Sequence, residues 1–444
     1  MSFFNTKEGQ SENWKKYEKV LLRFLFLYFF IQAVPLDWKF YRDLFSINWL
    51  ELPFFDLFKL STYSPQFFSL TGYANWAVVL IIAIAGTFVW PLVCKDQKTD
   101  YHKLYYLLRV ILRYRLAIGI IAYGFIKLFP LQMPYPSLSN LHTNYGDFLP
   151  WKIYFHTLGI AQPYEVFLGA VEVLAGLLLL CRRTTTFGAG IILGFTGNVF
   201  IANLSYHAGQ EVYSAYLSLI AAVLFAYDVP RLYRLLILQQ YTLANKFQPI
   251  LHKTFVKARF VLKTLALLFI VLLGFSTYAN YKYHPYKIPQ TAGLKGSYGY
   301  YNVREFKLNN RTIPYSTTDP DRWQNVVFEK WATISIKTAR PIQLDNSYGD
   351  GFHQQDIDRN YESAGVAGRR YYAYTADTLY KKLQLANKNK HYPAERYSLT
   401  YNFLNDSTIV LQGVNGQKDS VYAILDRINK KYLLFEGRRK PIKL

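Results

Sequence analysis

The chain of 444 residues carries 51 Lys and Arg residues against 29 Asp and Glu residues, which gives a formal net charge of +22. Charged residues make up only 18% of the sequence, aromatic residues make up another 18%, and the apolar residues cluster in long runs. This clustering is typical of a polytopic membrane protein, and we expect no nucleic-acid partner because the basic residues flank apolar runs and form no long block.

Seven apolar runs predict membrane-spanning helices. About twenty apolar residues, at about 1.5 Å per residue, match a hydrocarbon core of ~30 Å. The first run is expected to be a retained span, because no small-residue cleavage site follows it. Two connections are long: residues 36–74 are rich in Trp, Tyr and Phe and suit the headgroup level, and residues 131–162 form a Pro- and Tyr-rich loop. The seven runs cover approximately residues 20–34, 76–94, 111–129, 164–180, 187–204, 212–227 and 260–278.

The charges of the loops predict the topology. Basic residues crowd the N-terminus, the second–third and fourth–fifth hinges and the sixth–seventh connection, whereas the alternate loops carry few. By the positive-inside rule, the N-terminus is expected in the cytoplasm and the C-terminus outside it. Arg113 and Arg115 are then expected to mark the inner interface of the third span. Cys94 and Cys181 are too few for a disulfide framework and form no CxxC motif.

From about Tyr286 onward the sequence changes to short alternating or β-rich runs, and the last of these is KYLLFEG. Turn signals separate several of them, at Asn309–Asn310, Asn405–Asp406 and Asn415–Gly416. Seven or eight strands over about 150 residues predict a small antiparallel barrel or sandwich. We therefore expect a helical domain over residues 1–285 and an extracytoplasmic all-β domain over residues 286–444.

Ionisable residues inside the spans are candidate functional residues, because each costs roughly 2.5–3.5 kcal/mol on insertion and needs a partner or a role. In the fourth span, Gly169, Glu172 and Gly176 share one helical stripe, which we expect to face another helix. Lys127 of the third span lies at a depth from which it can reach Glu172. Such a pair can exchange protons with a substrate or simply lock two helices together, and the sequence leaves both alternatives open.

Further polar residues are predicted to converge on the outer half of the bundle. Gly190, Gly194 and Asn198 recur at four-residue spacing in the fifth span and are expected to form a second packing stripe. The amides of Asn198 and Asn203 equally suit hydrogen bonds between helices, and His207 equally suits a solvated hinge. The predicted substrate-binding residues are Tyr123, Asn198, Asn203, Tyr206, His207 and Glu211.

Several cofactor chemistries find no support in the sequence. A b-type haem needs facing histidines within the spans, and because no histidine lies mid-membrane, no haem is expected. The sequence contains no HExxH, no Walker lysine loop and no GxSxG. His142, His156 and His207 lack a diagnostic metal-site spacing, so no metal site is expected.

Three motifs, AYGFIKLFP, PYEVFLGAVEVLAGLLLLCRRTTTFGAG and NVFIANLSY, resemble the DoxX family of bacterial membrane proteins. The resemblance covers a four-helix module at about residues 111–228 and is to the larger form of the family, which has extra spans and a C-terminal domain. The stretches LKGSYGYYNVREFKLNN and RWQNVVFE are similar to lipocalin-like barrels. The chain departs from its relatives after Tyr206, where His207 and Glu211 replace an Asp and a Lys, so an i,i+4 pair is kept.

The resemblance implies an α-helical polytopic bundle with a small β-barrel in the bacterial cytoplasmic (inner) membrane. It also implies a quinone-linked or envelope redox role, because the family takes its name from the small subunit of a thiosulfate:quinone oxidoreductase. Glu172 and Lys127 would then be catalytic residues that exchange protons with a quinone headgroup, which Asn198 would orient.

The alternative function is that of a non-enzymatic envelope protein. Such a protein would bind a lipid or a protein partner through the C-terminal barrel, with the helical bundle as its anchor in the lipid bilayer. A small-solute transporter is disfavoured by the lack of an obvious inverted repeat. The sequence leaves open whether the chain is an enzyme, a subunit of a membrane oxidoreductase or a binding protein.

Overall fold

The computed structural model describes residues 14–68, 70, 72–93, 100–243, 253–345, 347, 351–353 and 355–436. The chain divides into two compact units. The helical unit comprises Met1–Pro130 and Gln162–Tyr283, and the barrel unit comprises Leu131–Ala161 and His284–Leu444. The segment Leu131–Ala161, for which the sequence predicts a loop of the helical domain, therefore belongs to the barrel unit.

A helix is present at each of the seven predicted apolar runs, and shorter helices lie between them. Of the helices described, α6, α7 and α13 belong to the barrel unit. In chain order the helices are α1 Lys16–Ala33, α2 Trp38–Ser46, α3 Phe54–Ser61, α4 Tyr73–Val93, α5 Tyr101–Leu128, α6 Leu138–Leu141, α7 Pro150–Ile160, α8 Gln162–Leu180, α9 Thr185–Tyr206, α10 Glu211–Ala226, α11 Val229–Leu236, α12 Lys253–Tyr283 and α13 Leu433–Glu436.

Five helical stretches of the described residues are long and apolar enough to cross a membrane. A sixth results if α10 and α11, which meet at an angle of 63°, are taken together. Helix α5, which contains the predicted third span, is not among them, because Arg113, Arg115 and Lys127 interrupt its apolar sequence. The count of seven spans therefore stays a prediction. The five stretches are Lys16–Ser46, Tyr73–Val93, Gln162–Leu180, Thr185–Tyr206 and Val256–Tyr283.

Helix α5 lies in the core of the helical unit, where it packs against α8 and also contacts α1, α3, α10 and α12. Its close approach to α8 depends on glycines. A Cβ added at Gly169 would lie 2.3 Å from the backbone nitrogen of Leu128 and 2.6 Å from the carbonyl oxygen of Gly124. One added at Gly176 would lie 2.4 Å from Cγ1 of Ile121. The stripe predicted for the fourth span therefore faces α5, as expected.

The second predicted stripe does not form a helix contact along its whole length. A Cβ at Gly190 would lie 3.2 Å from the ring of Phe225, but a Cβ at Gly194 would meet nothing within 4 Å. Asn198 is exposed. Helix α9 contacts α8 at its first turn, where Gly188 meets the carbonyl oxygen of Ala175, and the face with Gly194 turns away from the described helices. The prediction that this stripe faces a helix is therefore wrong beyond its first glycine.

The aromatic loop before α4 contains two helices with different environments. Helix α2 has no buried residue, and Trp38 and Phe45 are exposed, as expected for a helix at an interface. Helix α3 is instead packed inside the helical unit, where Leu57 and Ser61 are fully buried. The prediction that this whole loop lies at the headgroup level therefore fails for α3, because its apolar face is covered by α5 and α12.

The barrel unit contains nine antiparallel strands, eight of which form a closed up-and-down barrel. Each strand from β3 to β9 pairs with the next, and β1 closes the barrel by pairing with both β3 and β9. The short β2 extends β1 as a hairpin, with Asn309 and Asn310 at φ 50° and 62° in the tight turn that their dipeptide predicts. The strands are β1 Gly299–Leu308, β2 Arg311–Thr312, β3 Asn325–Phe328, β4 Thr333–Lys337, β5 Arg370–Asp377, β6 Lys382–Asn387, β7 Arg396–Asn405, β8 Thr408–Asn415 and β9 Ser420–Arg427.

The interior of the barrel is filled by its own side chains. Alternate residues of the strands point inward, and the largest of them are at most 2% exposed. The predicted barrel is confirmed, with two differences in its elements. The run KYLLFEG is not a strand but contains the short helix α13, and β6 was not predicted. The largest inward residues are Tyr301, Phe306, Trp323, Phe328 and Tyr372.

Polar contacts attach the segment Leu131–Ala161 to the barrel. The carboxylate of Glu329 accepts hydrogen bonds from the backbone N–H groups of Leu138 (3.2 Å) and Ser139 (2.7 Å), in the first turn of α6. Burial raises the pKa of Glu329, and the bonds from Ser139 partly offset this shift. At the other end of α6, Arg369 donates to the carbonyl oxygen of His142. Both ends of α6 are therefore satisfied by side chains that lie about 200 residues further along the chain.

A buried ion pair lies next to these contacts. Lys388 donates to Glu362 over 2.5 Å, and both side chains are at most 3% exposed. Glu362 also accepts a hydrogen bond from Thr333 (3.1 Å), and its backbone carbonyl accepts one from Asn140 of α6 (2.9 Å). These bonds offset the cost of burying the two charges, and they fix α6 against the barrel.

The glycine contact between α5 and α8 predicts opposite effects for two glycine-to-alanine variants. In Gly169→Ala the new Cβ meets backbone atoms that cannot move aside alone, so we expect a loss of about 1–3 kcal/mol or more. In the matched control Gly194→Ala the Cβ meets nothing within 4 Å, and the variant should gain about 0.5–1 kcal/mol from helix propensity. Thermal unfolding of the full chain in a mild detergent measures both. Equal transition temperatures for the two variants would contradict the described packing.

The stability of the barrel unit should depend on pH through His156 of α7. This ring is 8% exposed, and burial together with the nearby Lys152 lowers its pKa to about 3. An unfolded histidine has a pKa of about 6.5, so below that pH the unfolded state binds a proton that the folded state does not. Stability therefore falls as pH falls, by about 2 kcal/mol between pH 7 and pH 5 from this group. The variant His156→Phe should lose about that much less.

Urea unfolding followed by tryptophan fluorescence at pH 7 and pH 5 measures this difference, because detergent-bound helices resist urea. His142 provides an internal comparison, since burial followed by the charges of Arg369 and Lys430 lowers its pKa to about 4. The variant should therefore keep part of the pH dependence. Identical pH dependence in the wild type and in His156→Phe would show that His156 is protonated in the folded state.

Candidate functional site

The ion pair predicted between α5 and α8 is present. Lys127 lies in the last turn of α5 and donates to Oε1 of Glu172, and the two side chains are 6% and 5% exposed. The close approach at Gly169 and Gly124 brings the two backbones near enough for the side chains to meet. The second carboxylate oxygen of Glu172, Oε2, is buried and has no hydrogen-bond partner among the described residues.

The electrostatics of this pair make both partners necessary. Moving a carboxylate and an ammonium out of water costs several kcal/mol for each group, and their mutual attraction offsets that cost only when they are in contact. An apolar pair of similar volume would stabilise the helices as well or better. The pair is therefore weak evidence for a purely structural role, and the unpartnered Oε2 can accept a proton or a hydrogen bond from a ligand.

Tyr123 lies one helical turn before Lys127 but contacts different elements. Its hydroxyl donates to Oε1 of Gln210 over 3.0 Å. Its ring lies 5.3 Å from the ring of Tyr213 on α10 and 5.4 Å from that of Phe58 on α3. The structure therefore places this predicted binding residue in an aromatic cluster between α3, α5 and α10.

The centre of that cluster is Arg115, which the sequence analysis assigned to the inner interface. Its guanidinium is buried and donates to the carbonyl oxygens of Ser61 (2.7 Å) and Tyr63, and it lies 3.4 Å from the hydroxyl of Tyr213. It also lies 5.6 Å from the ring centroid of Tyr216. No carboxylate of the described residues forms an ion pair with it. The expected position was wrong because α3 folds onto α5 and supplies the carbonyl groups that a buried arginine needs.

The sequence does contain one signal for the Arg115 cluster. Tyr213 and Tyr216 are three residues apart and therefore share a face of α10, and a buried tyrosine hydroxyl calls for a polar neighbour. Arg113, two residues away, has a different role. It donates to the carbonyl oxygens of Leu179 (3.0 Å) and Leu180 (3.1 Å) and so caps the C-terminus of α8.

The other predicted residues do not gather around the ion pair. Asn203 is buried and donates to the hydroxyl of Ser214 over 3.3 Å, which joins α9 to α10. Glu211 begins α10, and its Oε2 is buried without a hydrogen-bond partner among the described residues. The predicted residues that are exposed are Asn198, Tyr206 and His207.

The predicted i,i+4 relation between His207 and Glu211 is also absent. Helix α9 ends at Tyr206, and His207 follows as its C-cap in the left-handed conformation, with φ 53°. Glu211 then begins a new helix, so the two residues do not share a helical face. The expected convergence of all six polar side chains on one site is therefore limited to separate contacts.

The remaining histidines lie in the barrel unit. His142 stacks on Tyr300 with ring centroids 3.6 Å apart, and its Nε2 lies 2.7 Å from the hydroxyl of Tyr432. His156 packs edge-on against Phe148. Within the described part of the chain, no three His, Cys, Asp or Glu side chains are grouped as a metal site would require.

The ion pair predicts a non-additive mutant cycle for the stability of the helical unit. Either Lys127→Met or Glu172→Met alone leaves one charge buried and uncompensated, and should cost about 3–5 kcal/mol. The double variant Lys127→Met/Glu172→Met replaces the pair with two apolar side chains and should be no less stable than the wild type by more than about 1 kcal/mol. Thermal unfolding in detergent gives the coupling energy. Additive losses would show that the two charges are not in contact.

No protein-family model, no curated protein and no solved structure matches this chain. The resemblance to the DoxX family therefore stays a prediction from the motifs in the sequence.

Proposed function

We propose that the helical unit is embedded in a lipid bilayer and crosses it seven times, as a bacterial cytoplasmic membrane protein of the DoxX type. Five or six helices are apolar enough to cross, and α5 is the exception whose charges turn inward to other helices. A charged helix in the middle of a bundle is compatible with a bilayer, because its polar groups are shielded from lipid. The loop charges support a cytoplasmic N-terminus and an extracytoplasmic barrel unit.

Within this membrane protein, the proposed activity is a quinone-linked redox role centred on Lys127 and Glu172. The observation that carries the proposal is the buried ion pair with an unpartnered carboxylate oxygen. Reduction of a quinone to a quinol takes up two electrons and two protons at its two oxygen atoms. The pair can deliver protons to a headgroup oxygen, and Glu172 returns to its charged form by taking up a proton from water. The electrons would come from a partner redox protein, so the chain would act as a membrane subunit.

The second candidate is a binding function of the barrel unit, and one observation favours a particular form of it. Because large aromatic side chains fill the interior, a lipid has no room inside the barrel. An open groove of about 500 Å³ lies on the barrel instead, across β5 to β8. A protein partner would therefore be recognised on the outer surface. The groove is lined by Ala373, Thr375, Gln384, Ala386, Arg396 and Ser398, among others.

The two roles of the ion pair can be separated with the variant that keeps the fold. We expect native mass spectrometry of the full chain, extracted with a mild detergent, to detect a bound quinone. The double variant Lys127→Met/Glu172→Met should remain folded but retain at least about tenfold less quinone. The control Gly194→Ala should retain as much quinone as the wild type.

Two outcomes would contradict the quinone proposal. If the double variant keeps its quinone, the pair is a helix lock and has no role at the headgroup. If the wild type carries no quinone even after reconstitution with an excess of it, the binding function of the barrel becomes the better hypothesis.

A further inference from the structure

Three arginines meet at one end of the helical unit. Arg109 of α5 lies with its guanidinium 3.3 Å from the ring centroid of Tyr227, at the end of α10. Arg113, one turn further along α5, caps the C-terminus of α8. Arg182 follows in the turn between α8 and α9, and both Arg109 and Arg182 lie within electrostatic range of the Arg113 guanidinium. The cluster therefore lies where α8 ends, α9 begins and α10 ends.

The charge of this arginine cluster is not balanced by the described residues around it. The contacts of Arg109 and Arg113 are with an aromatic ring and with backbone carbonyl groups, which are neutral. Neither guanidinium forms an ion pair with a carboxylate in the described part of the chain. Asp228 is the nearby acid, and it accepts a hydrogen bond from the hydroxyl of Thr186. Three positive charges against one negative charge leave a local excess of two.

One donor of the cluster also lacks a partner. The Nε of Arg109 is buried and has no hydrogen bond among the described residues. A guanidinium held by a ring on one face keeps its N–H groups in one plane, where they match the oxygens of a phosphate. The structure thus combines excess charge, a fixed orientation and an unused donor between helices.

The position of the cluster decides which anion would bind. The loop charges predict that this end of the helical unit is cytoplasmic, and the arginines lie at helix ends, where headgroups would surround a spanning bundle. Basic pockets between membrane helices on the cytoplasmic side bind anionic headgroups. Tyr105 and Tyr227 beside the arginines are ring systems of the kind that is enriched at this level of a membrane protein.

We propose that Arg109, Arg113 and Arg182 form a binding site for the phosphate of an anionic phospholipid. The proposal rests on the membrane-spanning part of the proposed function and is independent of the quinone role. The lipid phosphate supplies the missing negative charge, and its acyl chains lie along the apolar surface of the helices. Free inorganic phosphate offers the same oxygens without the chains, so the experiment must distinguish the two sources.

The test uses the full chain, purified in a neutral detergent and stripped of lipid. We expect phosphatidylglycerol to bind, as seen by native mass spectrometry, and to raise the transition temperature, whereas phosphatidylcholine and inorganic phosphate at the same concentrations should not. In Arg109→Gln/Arg182→Gln the affinity for phosphatidylglycerol should fall at least about tenfold. Arg113 is left intact because it caps α8. Arg183→Gln removes one exposed charge from the same turn and should change the affinity by less than about twofold.

The preference for phosphatidylglycerol over phosphatidylcholine is measured on the wild type, so it does not depend on the folding of a variant. Equal binding of the two lipids would overturn the proposal, as would unchanged affinity in the double variant. Equal stabilisation by inorganic phosphate would show a free-anion site and would overturn the lipid assignment. Alkaline carbonate extraction of membranes separately tests whether the chain is inserted. A chain that is inserted but shows no lipid preference would refute the lipid site alone.

Discussion

The close approach of α5 and α8 is the constraint on which the helical unit depends. Gly124 and Gly169 let the two backbones come so near that no side chain fits between them, and this proximity lets Lys127 reach Glu172. The dependence is mutual, because a carboxylate and an ammonium buried apart would cost more than close packing of the helices contributes. The glycine stripe and the ion pair therefore act as one element, and a change in either would alter the other.

In the barrel unit the same physical problem has a different solution. Glu329 and Glu362 are buried beside a barrel whose interior is entirely occupied by aromatic and aliphatic side chains. Their charges are satisfied by backbone N–H groups, a lysine and hydroxyl groups, many of them on the segment Leu131–Ala161. This segment is therefore part of the structure of the barrel unit, although the chain enters it from α5 and leaves it into α8. Recognition by this unit is confined to its outer surface.

Periodicity in the sequence predicted the seven long helices and most strands, because burial of one face leaves a local pattern. It could not predict contacts that depend on distant residues. The segment Leu131–Ala161 has no clear period, and its partners lie about 200 residues away. Strand β6 was missed because only Leu383 and Leu385 mark its buried face between lysine-rich flanks. The pair Lys127–Glu172 was predicted, since a charge in an apolar run needs a counter-charge at its own depth, whereas Arg115 found neutral carbonyl partners on α3, which sequence spacing does not reveal.

Helix α5 shows how one charged helix can divide its roles along its length. Arg109 rests on a ring, Arg113 caps a helix end, Arg115 binds carbonyl groups, and Lys127 alone is paired with an acid. The positive charge at the first end is therefore left for an external anion, while the charge at the last turn is neutralised within the protein. A neutral pair can gain or lose a proton without leaving a large uncompensated charge, but an unpaired arginine cannot be deprotonated at all. For this reason proton exchange is assigned to Lys127 and Glu172, and permanent anion binding to the opposite end of the same helix.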